Sequence, residues 1–174
     1  MRIAISSKSG CGNTTVSTLL SQRLGYPMVN FTFRQMAQER GVDFWAFCRM
    51  AEDDYEIDKE LDRRQVEMAM EKKDCILASR LAIWMLKEAD LKVYLTATAE
   101  TRAKRVFNRE GGSLEERYKE TVRRDENDTN RYRIIYGIDN SKPEECADLI
   151  IATDDKTPEE IVSLIIEEVE KRSK

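Results

Sequence analysis

The chain has 174 residues, a formal net charge of −4, 36% charged residues and 41% hydrophobic residues. This length can bury one full hydrophobic core, so we expect a single domain over residues 1–174. The acidic balance excludes a global basic field for a nucleic-acid polymer, and no apolar run has the length of a membrane span. The first residues resemble a core strand and not a targeting segment. We therefore expect a cytoplasmic protein, with a monomer as the default.

Cysteine and histidine usage limits the chemistry further. The four cysteines form no C-x-x-C pair, and the chain contains no histidine. This pattern argues against a zinc site and against a disulfide framework. Histidine general bases and serine–histidine triads are excluded as well. Any catalysis must therefore depend on carboxylates, lysine, arginine and a metal ion.

The N-terminal segment predicts a strand, a loop and a helix. The β-branched run at residues 3–5 is followed by Ser6 to Gly12, which contains two glycines, and by a helix that opens on Thr14 and Thr15. A loop of this kind can turn several backbone N–H groups toward one anion. We therefore predict a phosphate-binding loop. The simpler interpretation is a tight turn before a helix that binds no ligand.

The loop matches the phosphate-loop template G-x-x-x-x-G-K-[ST] only in part. Gly12 and Thr14 occupy the second glycine and the hydroxyl that binds Mg²⁺. Ser7 replaces the first glycine, and Asn13 replaces the lysine that supplies a positive charge at the β- and γ-phosphates. Lys8 matches the extra lysine of deviant loops, K-G-G-x-G-K-[ST], so we hypothesise that it restores the missing charge.

A helical segment follows a short second strand, predicted at residues 28–30. Because strand, helix and strand follow one another through a short turn, the start of the chain predicts a parallel sheet. Residues from about 31 to 73 then have helical periodicity, with a break at Gly41. Most charges here fit a solvated helix face. Arg34 differs, because it lies just past a strand end, where ligands collect in open α/β folds.

Arg80 directly follows the third predicted strand, at residues 75–79. Its position at a strand end makes it a candidate phosphate ligand. The alternative is a structural role in which its stem lies over Trp84. Phosphate-loop proteins commonly place a Mg²⁺-binding acid at this strand end, where this chain has Ala78 and Ser79.

A long polar helix is predicted after the glycine pair at residues 111–112. Arg124 and Arg131 are seven residues apart, so they share one helix face and could cover a transferring phosphoryl group. We expect Asp125 and Asp128 to orient these two arginines. The alternative is a solvated helix stabilised by arginine–carboxylate pairs.

The remaining elements continue the alternation of strands and helices. Strands are predicted at residues 91–96 and 149–152, and helices at 99–108 and after Thr157-Pro158, which is a strong helix-start pattern. The alternation predicts an α/β fold.

Six motifs in this order resemble those of the short cytidylate kinases of archaea and some bacteria, in the nucleoside monophosphate kinase group of P-loop kinases. They are the phosphate loop, Phe33-Arg34, residues 56–65, residues 79–85, residues 124–132 and residues 135–139. The resemblance implies a three-layer P-loop NTPase-like α/β fold with a five-stranded parallel sheet flanked by helices. It also implies a helical insert that binds the nucleoside monophosphate, at about 31–72, and a lid at about 110–135.

The resemblance further implies transfer of the γ-phosphoryl group of MgATP to CMP or dCMP. The donor phosphates would be held by Ser9, Gly10, Cys11, Gly12, Asn13, Thr14 and Thr15, with Thr14 on Mg²⁺. The acceptor would be bound by Arg34, Arg63, Arg64, Gln65, Arg80 and Asp128. The catalytic charges would come from Lys8, Arg124 and Arg131.

The chain departs from the family pattern at three places. Asn13 replaces the lysine, and Ala78-Ser79 replaces an acid and a glycine. Asn30 and Phe31-Thr32 stand where the family has a Gly-Asp pair before Phe-Arg. Phe31 could stack on a pyrimidine or act as a buried hydrophobic staple. The alternatives to a cytidylate kinase are a catalytically degenerate nucleotide-binding module and a P-loop kinase for another small acceptor.

Overall fold

A computed structural model describes residues 1–173 of the protein. Its centre is a five-stranded parallel sheet in the order β2-β3-β1-β4-β5. The strands are β1 (Arg2–Ser7), β2 (Met28–Val29), β3 (Cys75–Ala78), β4 (Leu91–Thr96) and β5 (Leu149–Ala152). The predicted α/β fold with five parallel strands is therefore confirmed.

Eight α-helices in residues 1–173 connect and cover these strands. They are α1 (Asn13–Leu24), α2 (Phe33–Glu39), α3 (Phe44–Asp53), α4 (Tyr55–Met70), α5 (Ala82–Met85), α6 (Ala99–Glu110), α7 (Leu114–Tyr136) and α8 (Pro158–Arg172), with a 3-10 turn at Pro143–Glu145. No helix in this described range is both long and apolar enough to span a bilayer.

Both faces of the sheet are buried, because helices pack on each side. On one face, Ile3 and Ile5 pack with Val162 and Ile165 of α8. On the other face, Ala4 and Leu77 pack in a second cluster that includes buried residues of α4 and α5. Burial on both faces explains why the central strands have almost uninterrupted apolar sequences.

The helices α2 to α4 have a hydrophobic cluster of their own, which includes Phe31 and Met36. Thr32 caps α2, and its capping box with Gln35 satisfies two backbone N–H groups. Phe31 precedes the cap and Met36 lies in the first turn, which is the arrangement of a hydrophobic staple. The Arg64 guanidinium covers the Phe31 ring at 4.0 Å. These contacts favour the staple interpretation of Phe31 over a base-stacking role.

The helix α7 is 23 residues long and has a single buried residue, Thr121. Ser113 caps its start, where its side chain accepts a hydrogen bond from the Glu116 N–H. Gly137, in the left-handed conformation, ends it. Because little of α7 is fully buried, the polar contacts described below contribute to holding it in position.

Gly10 offers a test of how closely α6 approaches the loop after β1. Its φ is +81°, and a Cβ added there would lie 3.0 Å from Cβ of Arg102. We expect Gly10→Ala to destabilise the protein by about 1–3 kcal/mol from backbone strain, with a further contribution from this clash. Urea unfolding would measure the loss.

The matched control is Gly25→Ala. Gly25 has a φ of +68° but no heavy atom within 4 Å of the added Cβ. The Gly25→Ala control therefore introduces backbone strain without a steric clash. Equal destabilisation of the two variants would contradict a close approach of α6.

Candidate active site

The carbonyl groups of the loop after β1 face α6. Arg102 donates through Nη1 to Ser9 O, and Arg105 donates through Nη1 to Gly10 O, each at 3.2 Å. Arg105 also donates to the side chain and carbonyl of Thr153, at 3.0 and 2.7 Å. These contacts hold the loop on the side that faces α6, so the carbonyl groups of Ser9 and Gly10 point into the protein.

The opposite side of the loop presents N–H groups at the start of α1. Gly12 adopts the left-handed conformation at the N-cap, with φ +87°. The N–H groups of Gly12, Asn13 and Thr14 donate to no group in the described chain. Unpaired N–H groups and the positive end of the helix dipole favour an anion here. The hydroxyls of Thr14 and Thr15 are exposed beside them.

Asn13 does not extend from the loop in the way that a lysine would. Its Oδ1 accepts a hydrogen bond from Ser17 Oγ at 3.0 Å, and Ser17 Oγ also contacts its carbonyl at 2.6 Å. The Asn13 side chain is therefore held against its own helix and adds no positive charge to the loop.

Lys8 and α7 meet at Asp125. Arg102, only 4% exposed, donates to both oxygens of Asp125, at 3.0 and 2.6 Å, and Lys8 Nζ lies 3.8 Å from Asp125. Burial alone would lower the pKa of Arg102, but its bonds to Asp125 raise it overall. Asp125 thus pairs with Arg102 and Lys8, and within residues 1–173 it forms no ion pair with Arg124 or Arg131, so the expectation that it orients those two arginines is wrong.

A cavity of about 760 Å³ lies between α7, the end of β3 and the helices α3 and α4. Arg80, Arg124, Arg131, Asp128 and Gln65 all line it. The structure thus brings together five residues that the sequence analysis named from three separate parts of the chain. The cavity is adjacent to the loop, because β3 pairs with β1.

Arg80 and Arg124 give one end of this cavity a positive charge. Arg80 forms an ion pair with Asp128, so the expectation that Asp128 orients Arg124 or Arg131 is also wrong. Burial and the nearby Arg124 guanidinium lower the pKa of Arg80. Arg124 is exposed and has no ion-pair partner within residues 1–173. Two close guanidinium groups with one carboxylate are suited to binding a dianion.

The other end of the cavity is formed by α4. Asp58 pairs with Arg131, which also donates to Ala51 O at 2.9 Å. Burial raises the pKa of Asp58, although the bond from Arg131 opposes this effect. Asp62 accepts a hydrogen bond of 2.5 Å from the Tyr136 hydroxyl, and burial raises its pKa to about 6.

Gln65 is buried on the same helix. Its Nε2 donates to Phe31 O at 2.8 Å, which joins α4 to the start of α2. This contact fixes the Gln65 amide beside the cavity.

The structure places three predicted acceptor ligands outside the cavity lining. Arg34 is exposed and lies over the Phe44 ring at 4.1 Å. Arg63 pairs with Glu67, and Arg64 pairs with Glu39, both on the surface. Binding roles for these three arginines remain predictions.

Arg102, Arg105 and Asp62 are functional residues that were not predicted from the sequence. Nothing in the sequence pairs Arg102 with the loop carbonyls, because that contact depends on how α6 is rotated. For Asp62, the sequence does contain a signal that could have identified it as a cavity residue. Asp58, Leu61, Asp62 and Gln65 have the spacing i, i+3, i+4 and i+7, which places them on one helix face.

Comparison with known proteins agrees with this geometry. The model of the Cytidylate kinase-like family matches residues 2–155. The chain belongs to this family. Cytidylate kinase 2 of Borreliella afzelii is 43% identical over 176 residues, covering 99% of this chain and 98% of that protein. The cytidylate kinase of Thermococcus sibiricus is 43% identical over 155 residues, covering 87% and 78%. The resemblance found in the motifs is confirmed.

Solved structures of kinases share the fold of this cytidylate kinase-like protein. Shikimate kinase from Bacteroides thetaiotaomicron aligns with a TM-score of 0.66 at 15% identity, covering 98% of each chain. Deoxyadenosine kinase from M. mycoides aligns with a TM-score of 0.58 at 17% identity, covering 98% of this chain and 100% of that one. At these identities the likeness establishes the P-loop kinase fold alone.

The Arg102–Asp125 pair allows a stability test within this family member. Asp125→Ala leaves a buried guanidinium without its carboxylate, so we expect a loss of about 3–5 kcal/mol in the free energy of unfolding. Chemical denaturation followed by circular dichroism would measure it.

Glu115→Ala is the matched control on the same helix, because Glu115 pairs with Lys119 on the exposed surface. Exposed pairs contribute little to stability. If both variants lost the same small amount, the buried pair would not hold α7 in place.

Proposed function

We propose that the protein transfers the γ-phosphoryl group of ATP to CMP or dCMP, giving CDP or dCDP. The relatives named cytidylate kinase support this assignment. The observation that carries it is the arginine-lined cavity beside a loop that presents unpaired N–H groups. The loop suits the phosphates of a donor, and the cavity suits a phosphate-bearing acceptor.

On the donor side, the loop from Ser9 to Thr15 would hold the ATP phosphates. The carbonyls of Ser9 and Gly10 are held by α6, so the opposite face of the loop is left to the ligand. The helix dipole of α1 adds to the attraction.

The residues beside the loop fit Mg²⁺ as an ion carried by the nucleotide. No group of three acidic or cysteine side chains in residues 1–173 could enclose a metal ion. Mg²⁺ commonly keeps several waters and binds substrate phosphates with few protein ligands. The exposed Thr14 hydroxyl at the start of α1 would be such a ligand. When bound, the ion neutralises charge that develops on the β- and γ-phosphates.

On the acceptor side, Arg80 would bind the α-phosphate of the nucleoside monophosphate, and Arg124 beside it would face the phosphoryl group in transfer. Phosphoryl transfer requires little covalent chemistry from the protein, so positioning and positive charge supply most of the catalysis. Arg131 holds α7 against α4 through Asp58, which supports closure of the cavity over the substrates. Closure excludes water that would otherwise hydrolyse ATP.

We further propose that residues 31–72 form the acceptor-binding insert and residues 110–135 a mobile lid. Arg34, Arg63 and Arg64 would reach the acceptor only after the insert moves. We also propose a monomer as the active unit. A cytoplasmic location is proposed because both nucleotide substrates occur there.

An assay of ADP release over a panel of nucleoside monophosphates and unrelated acceptors tests the proposal. We expect the highest kcat/KM with CMP or dCMP. Nucleotide binding with no turnover on any acceptor would favour the degenerate module, and turnover on a non-nucleotide acceptor alone would favour another kinase.

Arg124→Ala should lower kcat for CMP by about 10²-fold or more, because it removes preorganised positive charge from the reacting phosphoryl group. Steady-state kinetics would measure the change. Arg123→Ala is the matched control, since Arg123 is exposed next to it on α7 but does not line the cavity. Equal kinetics of the two variants would remove Arg124 from the mechanism.

Lys8→Ala tests whether Lys8 supplies the charge that Asn13 lacks. We expect kcat to fall by about 10²–10³-fold, with the fold unchanged by circular dichroism. Lys104→Ala, at an exposed position on α6, serves as the control for loss of a lysine. An unaffected Lys8→Ala enzyme would rule out this compensation.

A further inference from the structure

The charges that line the cavity are unevenly compensated. Arg80 pairs with Asp128, and Arg131 pairs with Asp58. Asp62 has no cationic partner in the described part of the chain, although it is partly buried. Arg124 has no anionic partner in the same part of the chain. A ligand that brings a phosphate to Arg124 and a hydrogen-bond donor to Asp62 would satisfy both groups.

Asp62 is held in one orientation by α7. The Tyr136 hydroxyl donates to Oδ2 of Asp62 at 2.5 Å. Burial and the Asp62 carboxylate raise the pKa of Tyr136, so its hydroxyl keeps the proton that it donates. Oδ1 of Asp62 has no hydrogen-bond partner within residues 1–173, and the residue lines the cavity.

The neighbouring polar atoms on α4 offer few donors to a ligand. Asp58 provides carboxylate oxygens, which only accept. One of the two amide N–H groups of Gln65 is engaged by Phe31 O, which leaves one N–H among the carboxylate acceptors of this wall. This wall of the cavity is therefore complementary to a ligand edge that donates hydrogen bonds.

We propose that Asp62 recognises the base of the acceptor nucleotide, accepting a hydrogen bond from the 4-amino group of cytosine, and thereby discriminates CMP from UMP. The inference rests on the proposed kinase function and deepens it. Cytosine carries an N4 amino donor, for which aspartate is a suitable acceptor. Uracil carries a carbonyl oxygen at the same position, which a carboxylate cannot bind. A site that hydrogen-bonds a substrate N–H discriminates strongly against an analogue that lacks it.

The protonation state of Asp62 supports this assignment. Burial raises its pKa to about 6; the hydrogen bond from Tyr136 lowers it and the charge of Asp58 raises it. The other titratable or charged groups facing it from α7 are Arg131 and Tyr132, and Arg80 lies across the cavity. Above this pKa the carboxylate only accepts hydrogen bonds. Below it, the added proton can be donated to the uracil oxygen.

Discrimination should therefore increase as the pH rises through about 6. The useful quantity is the ratio of kcat/KM for CMP to kcat/KM for UMP. The phosphate groups of the two substrates titrate alike, so their contribution cancels in this ratio.

The decisive variant is Asp62→Asn, which keeps the shape but can donate as well as accept. We expect the CMP/UMP ratio at pH 8 to fall by about 10–100-fold and to lose its dependence on pH. Glu56→Gln is the matched control, because Glu56 lies on the same helix but faces solvent beside Lys59. The control should keep the ratio and its pH profile.

A second variant tests the role of Asp62 in base recognition if Asp62→Asn does not fold. Tyr136→Phe removes the hydrogen bond that lowers the pKa of Asp62, so the midpoint of the ratio against pH should move upward. CMP turnover with an unchanged ratio in Asp62→Asn, or an unmoved midpoint in Tyr136→Phe, would overturn the role of Asp62 alone. A wild-type protein that phosphorylates neither nucleotide would instead overturn the proposed function.

Discussion

The burial of one guanidinium group, that of Arg102, constrains the whole site. A buried guanidinium must find acceptors inside the protein, because an unpaired buried charge is very costly. Arg102 finds them in the carboxylate of Asp125 and in the carbonyls of Ser9 and Ala97. One side chain thus joins the phosphate loop, the end of β4 and the helix α7. The loop must then direct its carbonyls inward, which leaves its N–H groups facing outward.

Three charged residues of the helix α7 tie it to other elements. Asp125, Asp128 and Arg131 are spaced three residues apart and pair with α6, with the end of β3 and with α4. Ion pairs of this kind can exchange partners when a charged ligand enters. A phosphate at Arg80 would compete with Asp128, whereas Arg102 has no access to the cavity. The same helix can therefore stay anchored at Asp125 while its contacts around the substrate rearrange.

Much of this architecture follows from local sequence patterns. The strands are predicted because their apolar runs are short and β-branched. The start of the last helix is predicted because Thr157-Pro158 is a strong helix-start pattern, and Thr157 forms a capping box there. Arg80 is predictable at the site because a residue that follows a parallel strand lies at the ligand-binding edge.

The partners of the charged side chains could not be predicted in the same way. Spacing along α7 shows that Arg124 and Arg131 share a face, but it does not show what that face meets. Asp125 and Asp128 therefore appeared to serve the arginines beside them in sequence, whereas they pair with Arg102 and Arg80 from other elements. These contacts have sequence separations of 23 and 48 residues, so only the packing of α6 and β3 against α7 determines them.

The geometry around Asp125 also bears on the missing lysine of the phosphate loop. Arg102 approaches both oxygens of Asp125 at 3.0 and 2.6 Å, whereas Lys8 Nζ remains 3.8 Å away on a side chain that is 31% exposed. Bidentate guanidinium pairs are stronger than a distant ammonium contact. Lys8 is therefore the more weakly held of the two cations. It can leave Asp125 for a phosphate on the loop without exposing an unpaired buried charge, because Arg102 continues to neutralise that carboxylate.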